Sequence, residues 1–181
     1  DSGAELLTVT RNGGTSGNIF IDADQANLVG VTRPRNIRSP DGTVQSIVST
    51  TLIQSANSGV TDRSGGNITL TVDQLSVTDG AAVSAGTFGA GDAGNINLSA
   101  EDVVIDGTSL LNGPSRLSTT VFPGATGQGG LLDVKTGRLD VLDGAQLNTG
   151  TLSTGQAGDL SVTADTVNVS GQVPGGRSGL F

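Results

Sequence analysis

Cysteine, methionine, tryptophan, tyrosine and histidine are all missing from this 181-residue sequence. Each absence removes a chemistry. Without cysteine there can be no disulfide, and cysteine usage cannot identify the redox compartment. Without cysteine and histidine the usual zinc ligands and nucleophile–base pairs disappear together. The only aromatics are Phe20, Phe88, Phe122 and Phe181, so the sequence predicts a thin core of Val, Ile, Leu and Ala. Basic residues are scarce too, nine Lys and Arg against 17 Asp and Glu, for a formal charge of −8. Phosphate backbones are bound by clustered cations, so no nucleic-acid partner is expected. No apolar run approaches the ~20 residues of a membrane span, and no membrane insertion is expected. The opening D-S-G-A-E-L-L-T-V-T lacks the character of a secretory leader.

Glycine is what the chain has in quantity, 29 residues of it. Residues 89–94, G-A-G-D-A-G, match the G-x-G-x-x-G of dinucleotide-binding turns. That fingerprint requires a helix next, whose N-terminus holds the pyrophosphate. N-I-N-L-S-A follows instead, and its period of two reads as a strand. The glycines need another explanation, and self-similarity supplies it.

Five segments begin on a glycine followed by alternating apolar residues, at Gly17, Gly66, Gly94, Gly130 and Gly158. The spacings are 49, 28, 36 and 28 residues, so the unit is 28 and the longer units carry insertions. A second apolar pair follows each glycine: Ala26/Leu28, Leu75/Val77, Val103/Ile105, Leu139/Val141 and Val167/Val169. A third strand is clear in G-A-A-V-S-A-G-T from Gly80, G-A-Q-L-N-T-G-T from Gly144 and G-A-E-L-L-T-V-T from Gly3. It recurs, delayed, as S-R-L-S-T-T-V from Ser115 and S-I-V-S-T-T-L from Ser46, and S-G-L-F from Ser178 starts another copy. Insertions are placed at about 31–45, 53–63 and 108–114, where Pro, Gly, Ser and Asn collect.

Three short strands per unit suit one coil of a parallel β-helix, each coil stacking on the next at about 4.8 Å. The predicted fold is all-β: about five to six coils of 28 residues, with 1–181 as one repeat segment entered and left mid-repeat and cut from a longer protein. Inward columns would be Ile19, Ile68, Ile96, Leu132, Leu160 and Ile21, Leu70, Leu98, Val134, Val162. A β-sandwich also has short strands at regular spacing, but it needs no three-strand repeat in fixed register. The anchor glycines are expected to serve positive φ and close approach of neighbouring coils.

The aligned repeats resemble the cyanobacterial filamentous-haemagglutinin-like exoproteins of two-partner secretion systems. The resemblance is carried by F-G-A-G-D-A-G-N-I-N-L (88–98), V-V-I-D-G (103–107), S-R-L-S-T-T (115–120) and V-F-P-G-A-T-G-Q-G-G (121–130). It implies a right-handed parallel β-helix exported through an outer-membrane β-barrel partner and displayed or released outside the cell, as an adhesin or surface fibre. The Asn-Pro-Asn-type secretion domain of that family is not in these residues.

Several side chains stand out. Asn18, Asn67 and Asn95 follow anchor glycines, with Asp159 in the same place and Leu131 interrupting. They are either an amide ladder along the stack or turn residues. Asp79, Asp106 and Asp143 precede glycines in consecutive units; a hard cation such as calcium would relieve their repulsion, and turn capping is the alternative. Arg33, Arg35 and Arg38 form a basic cluster in the longest insertion, either a solvated loop or a contact for anionic glycan. The T-x-T pairs Thr8/Thr10, Thr69/Thr71 and Thr149/Thr151 fall on different strands and form no regular row for ice.

Two functions follow. One is a structural and adhesive rod, not an enzyme and with no cofactor, whose bare end strands favour end-to-end self-association. The other is a polysaccharide-active enzyme, for which Asp102/Asp106 or Asp140/Asp143 would supply the carboxylate pair. Against it, the acids are scattered, no aromatic platform to stack sugars is expected, and there is no His or Tyr.

Overall fold

The computed structural model describes residues 5–10, 14–30, 35–38, 44–47, 52–57, 62–110, 113–174 and 176–181. The described residues are all-β, without helix, and are dominated by two parallel sheets. Five strands of 11 residues form one sheet: Ile19–Val29, Ile68–Thr78, Ile96–Asp106, Leu132–Leu142 and Leu160–Ser170. Six shorter strands form the other: Glu5–Thr10, Leu52–Asn57, Ala82–Thr87, Arg116–Ser118, Gln146–Asn148 and Gly179–Leu180. In both sheets the order in space is the order in sequence, and each repeat adds one strand to each.

Register matches side chain to like side chain. Ile19, Ile68, Ile96, Leu132 and Leu160 pair in succession, as do Ile21, Leu70, Leu98, Val134 and Val162. The second apolar pairs align in the same way, from Ala26/Leu28 to Val167/Val169. In the shorter-stranded sheet Leu6, Ile53, Val83, Leu117, Leu147 and Leu180 make the apolar column. Both sheets feed one hydrophobic core, in which Ile68, Leu75, Ile96, Ile105, Leu117 and Leu132 are fully buried. Each such side chain contributes about 2–3 kcal/mol by leaving water.

The two short strands expected after each anchor glycine are halves of one strand. Near its sixth residue the ladder skips a pair, Ala23↔Val72 being followed by Gln25↔Gln74. The inward set changes parity there: Ile68, Leu70 and Val72 are buried, Asp73 and Gln74 are exposed, then Leu75 and Val77 are buried. Two outward residues in a row reset the face without a loop, and of the five long strands only Leu132–Leu142 has a glycine there, Gly137.

One third strand is misplaced by the sequence reading. Of S-I-V-S-T-T-L, residues 48–51 lie outside the described residues and Leu52 alone joins the shorter-stranded sheet, where the strand is Leu52–Asn57, paired with Glu5–Thr10 and Ala82–Thr87. Residues 53–57 are therefore sheet rather than insertion, and Ile53 fills the apolar column. Val44–Ile47 instead pairs antiparallel with Arg35–Arg38. Both segments alternate, so periodicity could not choose between them. Thr108–Ser109 and Gly113–Pro114 form a small antiparallel hairpin within the 108–114 insertion. Gln172–Val173 and Gly176–Arg177 form another at the same place in the last repeat, unforeseen in the sequence.

Candidate functional site

The anchor glycines hold the repeats close together by having no side chain. A Cβ on Gly66 would overlap the Gly17 carbonyl oxygen, and one on Gly94 the Gly66 oxygen. The same holds for Gly130 over Gly94 and Gly158 over Gly130. None of these has positive φ, which corrects that part of the expectation. Gly91, Gly127 and Gly155 stack by the same rule, Gly91 against the Arg63 carbonyl, so the G-A-G-D-A-G turn is packing rather than a phosphate cradle.

The asparagines form a ladder, through the backbone rather than amide to amide. Asn67 N–H donates to Asn18 Oδ1 (2.9 Å) and Asn95 N–H to Asn67 Oδ1 (2.9 Å). Leu131 N–H donates to Asn95 Oδ1 at 2.8 Å, so Leu131 takes the last rung and lacks an oxygen to continue it. Asp159 meets its neighbour through its carbonyl, which accepts from Leu132 N–H at 2.9 Å. Threonine hydroxyls serve the anchor carbonyls: Thr8 Oγ1 donates to Gly17 O (2.6 Å) and the buried Thr119 Oγ1 to Gly130 O (2.7 Å).

Asp79, Asp106 and Asp143 are not equivalent. Asp106 ends a long strand, opposite Thr78 and Leu142. Asp79 and Asp143 lie one residue further on, at φ 54 and 46, each before a positive-φ glycine. Ala81 N–H to Thr78 O (3.0 Å) and Ala145 N–H to Leu142 O (2.9 Å) close two-residue turns of the mirror-image kind, where Asp-Gly is favoured. Burial, and then the charges of Asp143 and Asp79, raise the Asp106 pKa above 3.8, while the Gly107 N–H lowers it. Among the described residues no group of three or more acidic side chains is arranged to hold a metal ion. Arg33 lies outside the described residues; Arg35 and Arg38 begin and end one strand of the antiparallel hairpin.

Asp102 and Asp106 lie on one strand, Asp140 lies on the next and Asp143 in the turn that follows it, and the closer association is across strands. Asp140, 4 % exposed, accepts from Arg138 Nη2 at 2.7 Å and from Asn168 Nδ2 at 3.3 Å. Asp102 pairs with Arg138 in register and shares a groove of 340 Å³ with Asp140, Gln74 and Asn27. A column of acids at the mid-strand bend, Asp24, Asp73, Glu101 and Asp165, was legible but overlooked: each lies seven residues after its anchor glycine.

The outer face of the shorter-stranded sheet carries another groove, of 370 Å³. Arg116 and Gln146 are register partners on one side, with Ser118 and Asn148 along the floor. Phe122 and Leu152 wall the other side. Phe122 stacks on Phe88 with centroids 4.1 Å apart and planes 1° from parallel. A Cβ on Gly86 would strike the Phe122 ring at 2.7 Å. An aromatic platform does exist, built from phenylalanines 34 residues apart, which the sequence reading denied.

Comparison with protein-family models, curated proteins and solved structures finds no match to this chain.

Proposed function

We propose that this chain is a segment of right-handed parallel β-helix that gives length, stiffness and contact surface to an extracellular adhesive protein. The observation that carries this reading is the unbroken register: like residues pair through five consecutive long strands while the shorter strands keep pace. A chain that winds once per repeat through the same stations makes a rod whose backbone groups pair with neighbouring turns. Such a rod is stable outside the cell without disulfides. The family resemblance in the sequence supports export through an outer-membrane β-barrel partner and display at the cell surface as a fibre. Electron microscopy of the native surface with a label on this segment tests it. Rods of uniform width carrying the label are expected; a label on globular particles overturns the reading.

The end strands support self-association or continuation into further repeats. Val167 and Val169 are 50 % and 41 % exposed, whereas their column partners Leu139 and Val141 are fully buried. The open columns are a surface that another strand of the same pattern would cover.

A polysaccharide-active enzyme is the second reading, favoured by Asp102 and Asp140 in one groove. Arg138 and Asn168 already engage both Asp140 oxygens, which suits a structural carboxylate better than a catalytic one. No turnover is expected on a panel of acidic and neutral glycans.

A further inference from the structure

The groove beside Phe122 differs chemically from the rest of the molecule. Arg116 is the only charged residue among those lining it, in a chain of formal charge −8. Arg116 is half-buried, so its attraction for an anion is screened less than that of a fully solvated cation. Arg116 Nη1 makes a long contact to Pro114 O, 3.5 Å, and a guanidinium, ionised at any relevant pH, has five N–H donors with which to meet a carboxylate as well.

The remaining groups suit hydroxyls and a ring face. Asn148 Oδ1 is held by the Gly150 N–H at 2.6 Å, which fixes the amide and leaves its NH2 without a hydrogen-bond partner among the described residues. Gln146 Nε2 makes only a long contact to Arg177 O, 3.5 Å. Ser118 Oγ donates to Ser84 Oγ at 3.3 Å and keeps its lone pairs for a donor. Register repeats these polar groups from strand to strand, Arg116 to Gln146 and Ser118 to Asn148. That spacing of about 4.8 Å is close to the length of one pyranose ring. Phe122 is held flat over Gly86 and backed by Phe88, so the platform is in place before any ligand arrives. Preformed sites of this kind bind without the cost of ordering their walls.

We propose that this groove binds an extended polysaccharide bearing carboxylate groups. Arg116 takes the carboxylate, Gln146, Asn148 and Ser118 take hydroxyls, and Phe122 stacks on the C–H face of a sugar. The inference goes beyond the rod reading: loss of carbohydrate binding would leave the rods intact, and absence of rods would leave the groove.

The test is isothermal titration of the 181-residue chain with polygalacturonate oligomers, using dextran oligomers as the neutral control. Polygalacturonate is expected to bind at least about tenfold more tightly than dextran, and more weakly as salt rises. Arg116→Gln should weaken polygalacturonate binding about tenfold, since it removes a charge-assisted bidentate contact. Phe122→Leu, which keeps apolar cover over Gly86 but loses the flat ring, should weaken it about threefold. Gln146→Ala alters a partly exposed side chain outside the hydrophobic core and should weaken it about threefold, which decides the matter if the Phe122 variant folds poorly. No heat with either polymer, equal binding of dextran, or unchanged binding in all folded variants would overturn the proposal.

Discussion

At the scale of single residues, glycine acts in two different ways here, and substitution separates them. Gly94→Ala drives a methyl into the Gly66 carbonyl, and the neighbouring backbone cannot yield without parting two repeats. A loss of about 3 kcal/mol is expected, read from the urea midpoint at unchanged slope. Gly124 has φ 86 and nothing within 4 Å of a Cβ, so Gly124→Ala meets only the left-handed backbone penalty, about 1 kcal/mol. Equal costs for the two would contradict the close-packed glycine column. Asp106 supplies a pH prediction. Its Oδ1 is buried without a partner among the described residues, and its raised pKa means that folding favours the protonated form. Ionised Asp106 therefore costs stability above the raised value, and that loss is recovered as pH falls toward 3.8. Asp106→Asn keeps an acceptor for Gly107 N–H and removes the charge. Its Tm should exceed that of the native protein by about 1–2 °C at pH 7, and the difference should vanish below pH 3.8.

At the scale of elements, strand register is set by apolar columns on one side and polar rungs on the other. The Asn18–Asn67–Asn95 ladder ties successive turns just where the long strands begin. Asn67→Ala leaves the Asn95 N–H without its side-chain acceptor and should cost about 1 kcal/mol, whereas Asn67→Asp keeps an oxygen and should cost less. Chemical denaturation of the two variants side by side checks this; equal losses would mean that the ladder contributes little. Ser115 and Ser178 show a second device. Each returns the chain from a small hairpin, donating to a long-strand carbonyl (Asp106, Ser170; 2.6 Å) and accepting an amide from the adjacent repeat (Gly80, Gly144; 2.9 Å). One hydroxyl bridges two turns, so hairpins can be added there without breaking the sheet.

For the whole molecule, stability should be graded along the stack because each repeat is covered only by its neighbours. Strands Ile68–Thr78, Ile96–Asp106 and Leu132–Leu142 have partners on both sides, while Ile19–Val29 and Leu160–Ser170 have one each among the described strands. Amide exchange should therefore be slowest in the middle three and faster by at least tenfold in Leu160–Ser170. Uniform protection from end to end would show that something caps the terminal strands in solution. The charge pattern also belongs to this scale. Asp24, Asp73, Glu101 and Asp165 gather at one bend, while the Phe122 groove is lined without acids.

The repeat, its strand periodicity, the parallel pairing of the two main sheets and the stacking partners in the long-stranded sheet were determined by sequence alone. Each depends on side-chain type at fixed spacing, and like residues at 28-residue intervals have one efficient way to be buried together. The alignment of Asn18, Asn67 and Asn95 was legible for the same reason, whereas the choice between ladder and turn, and a ladder that runs from side chain to backbone, came from the fold. What tertiary structure decided was whatever depends on one residue of offset or on distant segments meeting. A parity change between Val72 and Leu75 joined two expected strands into one. A single step of register separated Asp106 from Asp79 and Asp143, leaving those two in Asp-Gly turns and Asp106 at a strand end. Competition between two alternating segments gave the sheet position to Leu52–Asn57. The groove was hidden most completely, because Phe88 and Phe122 share no period and only the folded chain lays one ring on the other.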